Sequence, residues 1–344
     1  MEKRLRLGRT ELMVTKNGFG GIPIQRKSED EAVRLVRKAY ESGFRYFDTA
    51  RYYTDSEIKI GKALHDVRSD ITIATKSISK TKDGVLADIT QSLKNLQTDH
   101  VDILQLHTPD PLPDPNDPNS AYAGLLAARE AGMTRFISMT NHKYDNGVES
   151  VESGLYDTLQ FAVSFLSSER ELAVVELCKK HDVGIIAMKA LAGGLITHAA
   201  PAFAYLQQFD NLLILWGIDE EWQINEFVEL ERTMPPLNAE MMELIEKYRE
   251  ELAGDFCRGC GYCLPCPADI PIPMAARMPN HLGRSPDSRL VNDEWKEKMD
   301  RIENCVDCGH CLEHCPYKLN VPELLRKALV PYRERYIKVH GSYK

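Results

Sequence analysis

The sequence predicts an α/β protein: a closed parallel (β/α)8 TIM barrel, followed by a small cysteine-rich domain. Two observations point there. From residue 15 to about residue 250, short apolar runs alternate with amphipathic stretches, and eight of the nine cysteines fall in two short runs beyond them. The candidate strands are 45–50, 71–76, 101–107, 133–140, 158–163, 184–190 and 212–217, with a first one ending at Gly20-Gly21. Eight strand–helix units in roughly 230 residues suit a barrel, whose active site lies at the strand C-termini. A doubly wound open sheet is the competing arrangement, but no Gly-x-Gly-x-x-Gly follows the first strand.

Each element has a local reason. Leu5 and Leu7 before Gly8-Arg9-Thr10, with Leu12 and Val14 after, read as a hairpin closing the barrel floor. The stretch 28–42 opens with a capping box, Ser28 and Glu31, and places Ala32, Val36 and Ala39 on one face. Leu86, Ile89, Leu93 and Leu96 mark another helix at the same spacing, and 238–252 reads as a further one. A boundary is expected at Ala253-Gly254, giving domains 1–253 and 254–344. Between the cysteine runs, 270–273 and 280–293 read as an extended connector leading to a helix through Trp295 and Met299. The basic tail 322–336 reads as helical. No repeat at a solenoid period is visible.

Composition narrows the function. The 344 residues carry a net charge of −8 and no concentrated basic field, so nucleic acid is not an expected partner. No stretch approaches the roughly 20 apolar residues of a membrane span, and a cytoplasmic location without membrane association is expected.

The cysteines carry the sharpest motif. Cys257, Cys260, Cys263 and Cys266 stand at two-residue gaps with Pro267 after them, and 38 residues then separate Cys266 from Cys305, Cys308, Cys311 and Cys315-Pro316. Zinc sites pair two Cys-x2-Cys knuckles, whereas three consecutive two-residue gaps ending in Cys-Pro suit iron–sulfur ligation. The second run resembles the bacterial ferredoxins, so a small α+β ferredoxin-like domain with two 4Fe-4S clusters is expected. The resemblance implies a crossover, with Cys257, Cys260, Cys263 and Cys315 on one cluster and Cys305, Cys308, Cys311 and Cys266 on the other. The first run is one residue short before its last cysteine. Cys178, alone in the barrel region, reads as buried packing.

Asp48, Tyr53, Lys76 and His107 fall at strand ends or just beyond. Taken singly, an Asp there caps a helix, a Lys is solvated and a His packs. Together, the segments from Phe47 to Glu57, Ala74-Thr75-Lys76 and Leu104-Gln105-Leu106-His107 resemble the aldo/keto reductase signatures over roughly residues 4 to 250. The resemblance implies Tyr53 as proton donor, made more acidic by Lys76, with Asp48 holding Lys76 and His107 hydrogen-bonding the substrate oxygen. It implies a nicotinamide site from Gly20, Gly21, Thr140, Asn141, Gln160, Gly193 and Gly194. Three departures stand out: Val163 replaces the aromatic residue that stacks on the nicotinamide, Thr54 replaces the glycine after the tyrosine, and Asp219-Glu220-Glu221 replaces a basic 2′-phosphate site. Three carboxylates would repel that phosphate, which favours NAD over NADP.

The expected activity is NAD(P)H-dependent reduction of an aldehyde or ketone, or the reverse alcohol oxidation. The small-molecule substrate is set by loops such as 108–118, and the clusters serve electron transfer, sensing or structure. The alternative is an iron–sulfur protein passing electrons between a ferredoxin-like partner and a bound organic cofactor or substrate, without free nicotinamide.

Overall fold

The computed structural model describes residues 4–252, 256–259, 261–282 and 287–343, so the expected boundary at Ala253-Gly254 and the ligand Cys260 lie outside the described residues. The chain forms two compact units, one running to Leu191 with His198–Met242, the other comprising Ala192–Thr197 with Glu243 onward.

The first unit is a closed barrel. A hairpin comes first, β1 (Arg4–Arg6) pairing antiparallel with β2 (Met13–Thr15). The barrel strands follow in sequence: β3 (Asn17–Gly20), β4 (Tyr46–Asp48), β5 (Thr72–Ser77), β6 (Val101–His107), β7 (Thr134–Asn141), β8 (Thr158–Ala162), β9 (Gly184–Met188) and β10 (Leu212–Gly217), with β10 closing on β3. All eight pair in parallel because a helical crossover separates each from the next. The principal crossover helices are α1 (Glu29–Glu41), α2 (Ser56–Leu64), α3 (Lys82–Leu96), α4 (Ala121–Glu130), α5 (Tyr144–Glu152), α6 (Glu169–Lys180) and α7 (Ala199–Leu206), with α8 (Glu221–Thr233) following β10.

Local chemistry sets these elements. The Ser28–Glu31 capping box starts α1, and its Ala32, Val36 and Ala39 are buried as the periodicity predicts. In α3 the buried face is Val85, Ile89, Ser92 and Leu96, with Leu86 and Leu93 half-buried at its edge. The expected face is therefore rotated slightly, since a helix lying on a barrel curves its contact stripe around the neighbouring helices. Cys178 is fully buried on α6, and burial pushes its thiol up to about 12, which leaves it an inert packing group.

The hairpin builds the floor. Leu5, Leu7, Leu12 and Val14 pack into one cluster with Tyr46, Ile103 and Ile186 from inside the barrel, and Leu7 is wholly shielded from water. The barrel interior is thereby apolar at one end and free to be polar at the other.

The second unit begins within α9 (Ala239–Glu251). Beyond it lie α10 (Ile272–Ala275), α11 (Met278–Leu282), α12 (Asp287–Leu290), α13 (Asp293–Asp300), α14 (His310–Glu313) and α15 (Val321–His340). Among the described residues, the regular elements of this unit are all helices. Among the described residues, the expected extended connector between the cysteine runs instead carries the short helices α10, α11 and α12. Pro273 sits in the first turn of α10, where its fixed φ suits a helix and its missing N–H costs nothing. Trp295 and Met299 lie on α13 as predicted, and Met299 joins Ile272, Met278, Leu325, Leu329 and Tyr332 in the unit's core. The basic tail is α15, whose apolar face enters this core.

Replacing Leu7 with Ala is expected to cost about 2–5 kcal/mol, because the cavity opens where the floor packs. Urea unfolding should show a lower midpoint at unchanged slope; a variant as stable as the parent would remove the hairpin from the barrel's foundation.

Candidate active site and cysteine centres

At the polar end of the barrel, Asp48 closes β4 and Lys76 lies on β5, both almost completely buried. Lys76 Nζ stands 2.5 Å from Asp48 Oδ2 and donates to the Thr49 carbonyl at 2.6 Å. Gln105 on β6 donates from Nε2 to Asp48 Oδ1 at 3.2 Å and to Gln160 Oε1 at 3.0 Å. Gln105 pairs in register with Lys76, so a single inward layer presents the ammonium, the carboxylate and both amides. Burial pushes the Asp48 carboxyl up and the Lys76 ammonium down, and their contact offsets both effects. Gln105 was not singled out in the sequence; its signal is an uncharged polar residue set between Leu104 and Leu106, two places before His107. Glu57 is a second such residue, buried and accepting from Thr75 Oγ1 at 2.7 Å and Asn95 Nδ2 at 2.9 Å.

Tyr53 comes from the turn after β4, held by its own N–H to the Ala50 carbonyl at 2.9 Å. Thr54 takes φ of 40°, a left-handed backbone that favours glycine, so the departure at this position strains a turn next to the phenol. Lys76 Nζ lies 5.2 Å from the Tyr53 ring centre, and the His107 ring meets Tyr53 edge-on at 5.7 Å. Asp48, Tyr53, Lys76 and His107 thus converge at one end of the barrel. The neighbouring Tyr52 is 63% exposed.

One expectation is reversed. Burial, with Asp48 adding to it, pushes the Tyr53 phenol well above its ordinary value, although Lys76 was expected to make it more acidic. Asp48, in contact with Lys76, cancels much of the ammonium's field at the ring. His107 moves the other way: burial, then Lys76 and Lys189, push its imidazole down to about 3, so it is neutral at ordinary pH. Its buried Nδ1 has no hydrogen-bond partner among the described residues.

The residues expected around a nicotinamide divide. Thr140, beside His107 in register, has a buried Oγ1 without a partner among the described residues, as does Gln105 Oε1. These orphans suit a polar ligand such as a carboxamide. Gln160 already accepts from Gln105, while Asn141 donates to the Pro109 carbonyl at 2.9 Å and accepts from Lys143 N at 2.9 Å. Gly20 and Gly21 lie close to the chain's own backbone: a Cβ would fall 2.9 Å from the Trp216 carbonyl oxygen at the first and 2.8 Å from that of Asp48 at the second. Val163 is buried. Gly193 and Gly194 belong to the Ala192–Thr197 segment grouped with the second unit.

The charge argument after β10 also changes. Asp219 lies 3.6 Å from Arg26, Glu220 2.6 Å from Lys27 and Glu221 3.8 Å from Lys38. The three carboxylates are therefore matched by three cations from the segment after β3 and from α1, which the linear sequence keeps far away.

In the second unit, Cys263, Cys266, Cys305, Cys308 and Cys311 line a single cavity, together with Ile270, Ile272 and Leu325. Burial pushes the Cys311 thiol up, and the nearby Cys305, Cys308 and Cys266 add to the effect. Five soft donors around one apolar cavity, Cys263 and Cys266 from the first run and three from the second, suit iron–sulfur ligation. Arg258, just after Cys257, stands 4.5 Å over the ring of Tyr317, just beyond Cys315, and Cys315 packs against the core cluster that includes Cys263.

The sequence matches the model of the aldo/keto reductase family over residues 16–247 and that of a 4Fe-4S dicluster domain over residues 256–319. It is 34% identical to L-galactose dehydrogenase of Arabidopsis thaliana over 215 residues, covering 57% of this chain and 67% of that protein. It is 30% identical to methylglyoxal reductase DkgB of Salmonella typhi over 182 residues, covering 51% of this chain and 67% of that one. The fold resembles the aldo-keto reductase AKR11C1 from Bacillus halodurans in its holo form, with a TM-score of 0.63 and 23% identity over 72% of this chain and 96% of that chain. Among the described residues, no helix is long and apolar enough to cross a membrane. A barrel of this topology, matched over two-thirds of its length and followed by a 4Fe-4S domain, makes the chain an oxidoreductase enzyme belonging to the aldo/keto reductase family.

Proposed function

We propose that the chain reduces an aldehyde or ketone at the barrel mouth with NAD(P)H, and carries two 4Fe-4S clusters in its second unit. The observation that carries the reading is the convergence of Tyr53, Lys76, Asp48 and His107 on one buried polar layer. A bound dihydronicotinamide supplies hydride; the chain's own residues handle the proton. Tyr53 holds its proton firmly, which a general acid must do until charge develops. An alkoxide is a stronger base than a phenolate, so the proton moves from Tyr53 Oη once the carbonyl oxygen becomes anionic. Lys76 then faces the nascent phenolate, and its charge acts at that moment rather than before. Neutral His107 donates a hydrogen bond to the same oxygen without competing for the proton. Thr140 would receive the carboxamide.

NAD is favoured over NADP. Arg26, Lys27 and Lys38 already face carboxylates, so a 2′-phosphate would have to displace Asp219, Glu220 or Glu221 from its cation. Among the clusters' ligands, Cys257, Cys260, Cys263 and Cys315 would serve one and Cys266, Cys305, Cys308 and Cys311 the other.

A second reading is favoured by Val163, which offers no ring to stack on a nicotinamide, and by the exposure of Cys308. Here the clusters are the working redox groups, exchanging single electrons with a ferredoxin-like partner. Titrating the anaerobic holoprotein with NADH, NADPH and reduced ferredoxin separates the two. Binding of NADH in preference to NADPH supports the first reading, whereas bleaching of the cluster absorbance by ferredoxin alone, with neither dinucleotide bound, overturns it.

Tyr53→Phe should lower carbonyl reduction by about 10²–10⁴-fold, the usual worth of a positioned acid, while visible cluster absorbance stays unchanged. Undiminished turnover would refute the assignment. His107 gives a stability signature. Its folded value of about 3 lies below the ordinary 6.5, so the unfolded chain takes up this proton first as pH falls. The resulting stability is present above pH 6.5 and is lost progressively toward pH 3. His107→Gln should flatten that loss; identical acid limbs in denaturant titrations of parent and variant would count against a buried neutral imidazole.

A further inference from the structure

Arg277 sits between α10 and α11 and is only 7% exposed. Its Nε donates to the Pro273 carbonyl at 2.8 Å, and its Nη1 donates to the Gly193 carbonyl at 2.8 Å. Gly259 lies directly on the guanidinium: a Cβ there would fall 2.8 Å from Arg277 Cζ and Nη1. Gly259 in turn donates its N–H to Cys257 Sγ at 3.4 Å, so the segment lying on Arg277 is the one carrying Cys257. One buried guanidinium therefore touches both the Cys257–Gly259 turn and the backbone of the Ala192–Thr197 segment.

That segment needs external support. Ala192, Gly193 and Gly194 take φ of 48°, 68° and 93°, three consecutive left-handed residues, of which Ala192 is strained. Such backbone persists only where its surroundings hold it. Arg277 holds Gly193, the Tyr248 hydroxyl accepts from Thr197 N at 3.1 Å and lies 2.9 Å from Thr197 Oγ1, and Leu195 and Ile196 are buried. A thiolate-ligated cluster held by Cys257 would fix the turn that bears Gly259, and its negative charge would favour the nearby Arg277 guanidinium. Without iron that turn, which walls Arg277, would be free to move.

We propose that Arg277 is a positioning residue that makes the order of Ala192–Thr197 depend on iron–sulfur loading at the Cys257 turn. Under the reductase reading, on which this consequence rests, the segment carries the glycines assigned to the dinucleotide pyrophosphate. Cluster loss then loosens the backbone that would receive the pyrophosphate, with no electron passing through the clusters.

Hydrogen exchange at the amides of 192–197 tests this on the loaded full-length protein, on the same protein after anaerobic iron chelation, and on loaded Arg277→Met. Exchange in the segment should rise about tenfold on chelation, the ordinary size of a coupling between sites, while α15 stays protected. Loaded Arg277→Met should show the same rise with iron content intact, and Arg277→Lys a smaller one. The dinucleotide KM of Arg277→Met should rise about tenfold with kcat within about twofold. Unchanged exchange on chelation overturns the proposal, and so does equal loss of protection in α15, which would mean global unfolding. The comparison of loaded and chelated parent decides the matter should either variant lose iron. Because exchange needs no turnover, failure of the reductase reading leaves this readout standing, and normal carbonyl reduction with an iron-insensitive segment fails the proposal alone.

Discussion

Lys76 and Asp48 are charges withdrawn from water into the barrel mouth, and the polar residues around them are arranged to meet that cost. Burial opposes both ionised forms, and only close mutual contact with further hydrogen bonds makes such a pair tolerable. The Thr49 carbonyl and the Gln105 amide supply those bonds, and Gln160 holds the amide in turn. The parallel register of β4, β5 and β6 delivers these groups to one level, which makes the site a consequence of barrel closure. The same low-dielectric setting keeps the Tyr53 proton in place and the His107 ring neutral. A polar layer of this kind also depends on the apolar hairpin below, which keeps water out from the other end.

The barrel was legible because its strands are short apolar runs and its helices carry strong start signals. Seven expected strand spans and the ending at Gly20 fall on β3 to β10 with small shifts at their ends, as at β4, which is shorter at both ends than 45–50. Capping chemistry made the start of α1 readable at Ser28. What could not be read were quantities set by residues distant in sequence. The carboxylates after β10 looked unpaired because Arg26, Lys27 and Lys38 lie some 180 positions or more earlier. The acidity of Tyr53 was misjudged for a related reason: adjacency to an ammonium was visible in the motif, whereas burial and the neutralising contact with Asp48 are properties of the folded site.

The cysteine runs show the opposite balance. The ferredoxin resemblance implied that Cys266 belongs with Cys305, Cys308 and Cys311; these four line one cavity together with Cys263, which the resemblance assigns to the other cluster. The intervening chain reads as extended in the sequence, whereas among the described residues Pro273 falls in the first turn of α10, where proline suits a helix start. Arg277 had no sequence signal at all: a single arginine in a short connector acquires meaning only when its guanidinium is seen against Gly193 and Gly259.

Electron counting explains why that contact matters. Hydride transfer moves two electrons together, while each 4Fe-4S centre passes one, and no flavin motif stands between them to split the pair. Wiring the clusters to the barrel chemistry would require such an intermediary. A mechanical connection requires none. Under the proposal, a buried arginine that touches both the cysteine turn and a strained glycine segment would relay the presence of iron as backbone order, which a loop receiving a pyrophosphate would need. One-electron centres and two-electron chemistry would then be physically consistent in one chain without electron flow between them, because the centres would contribute geometry.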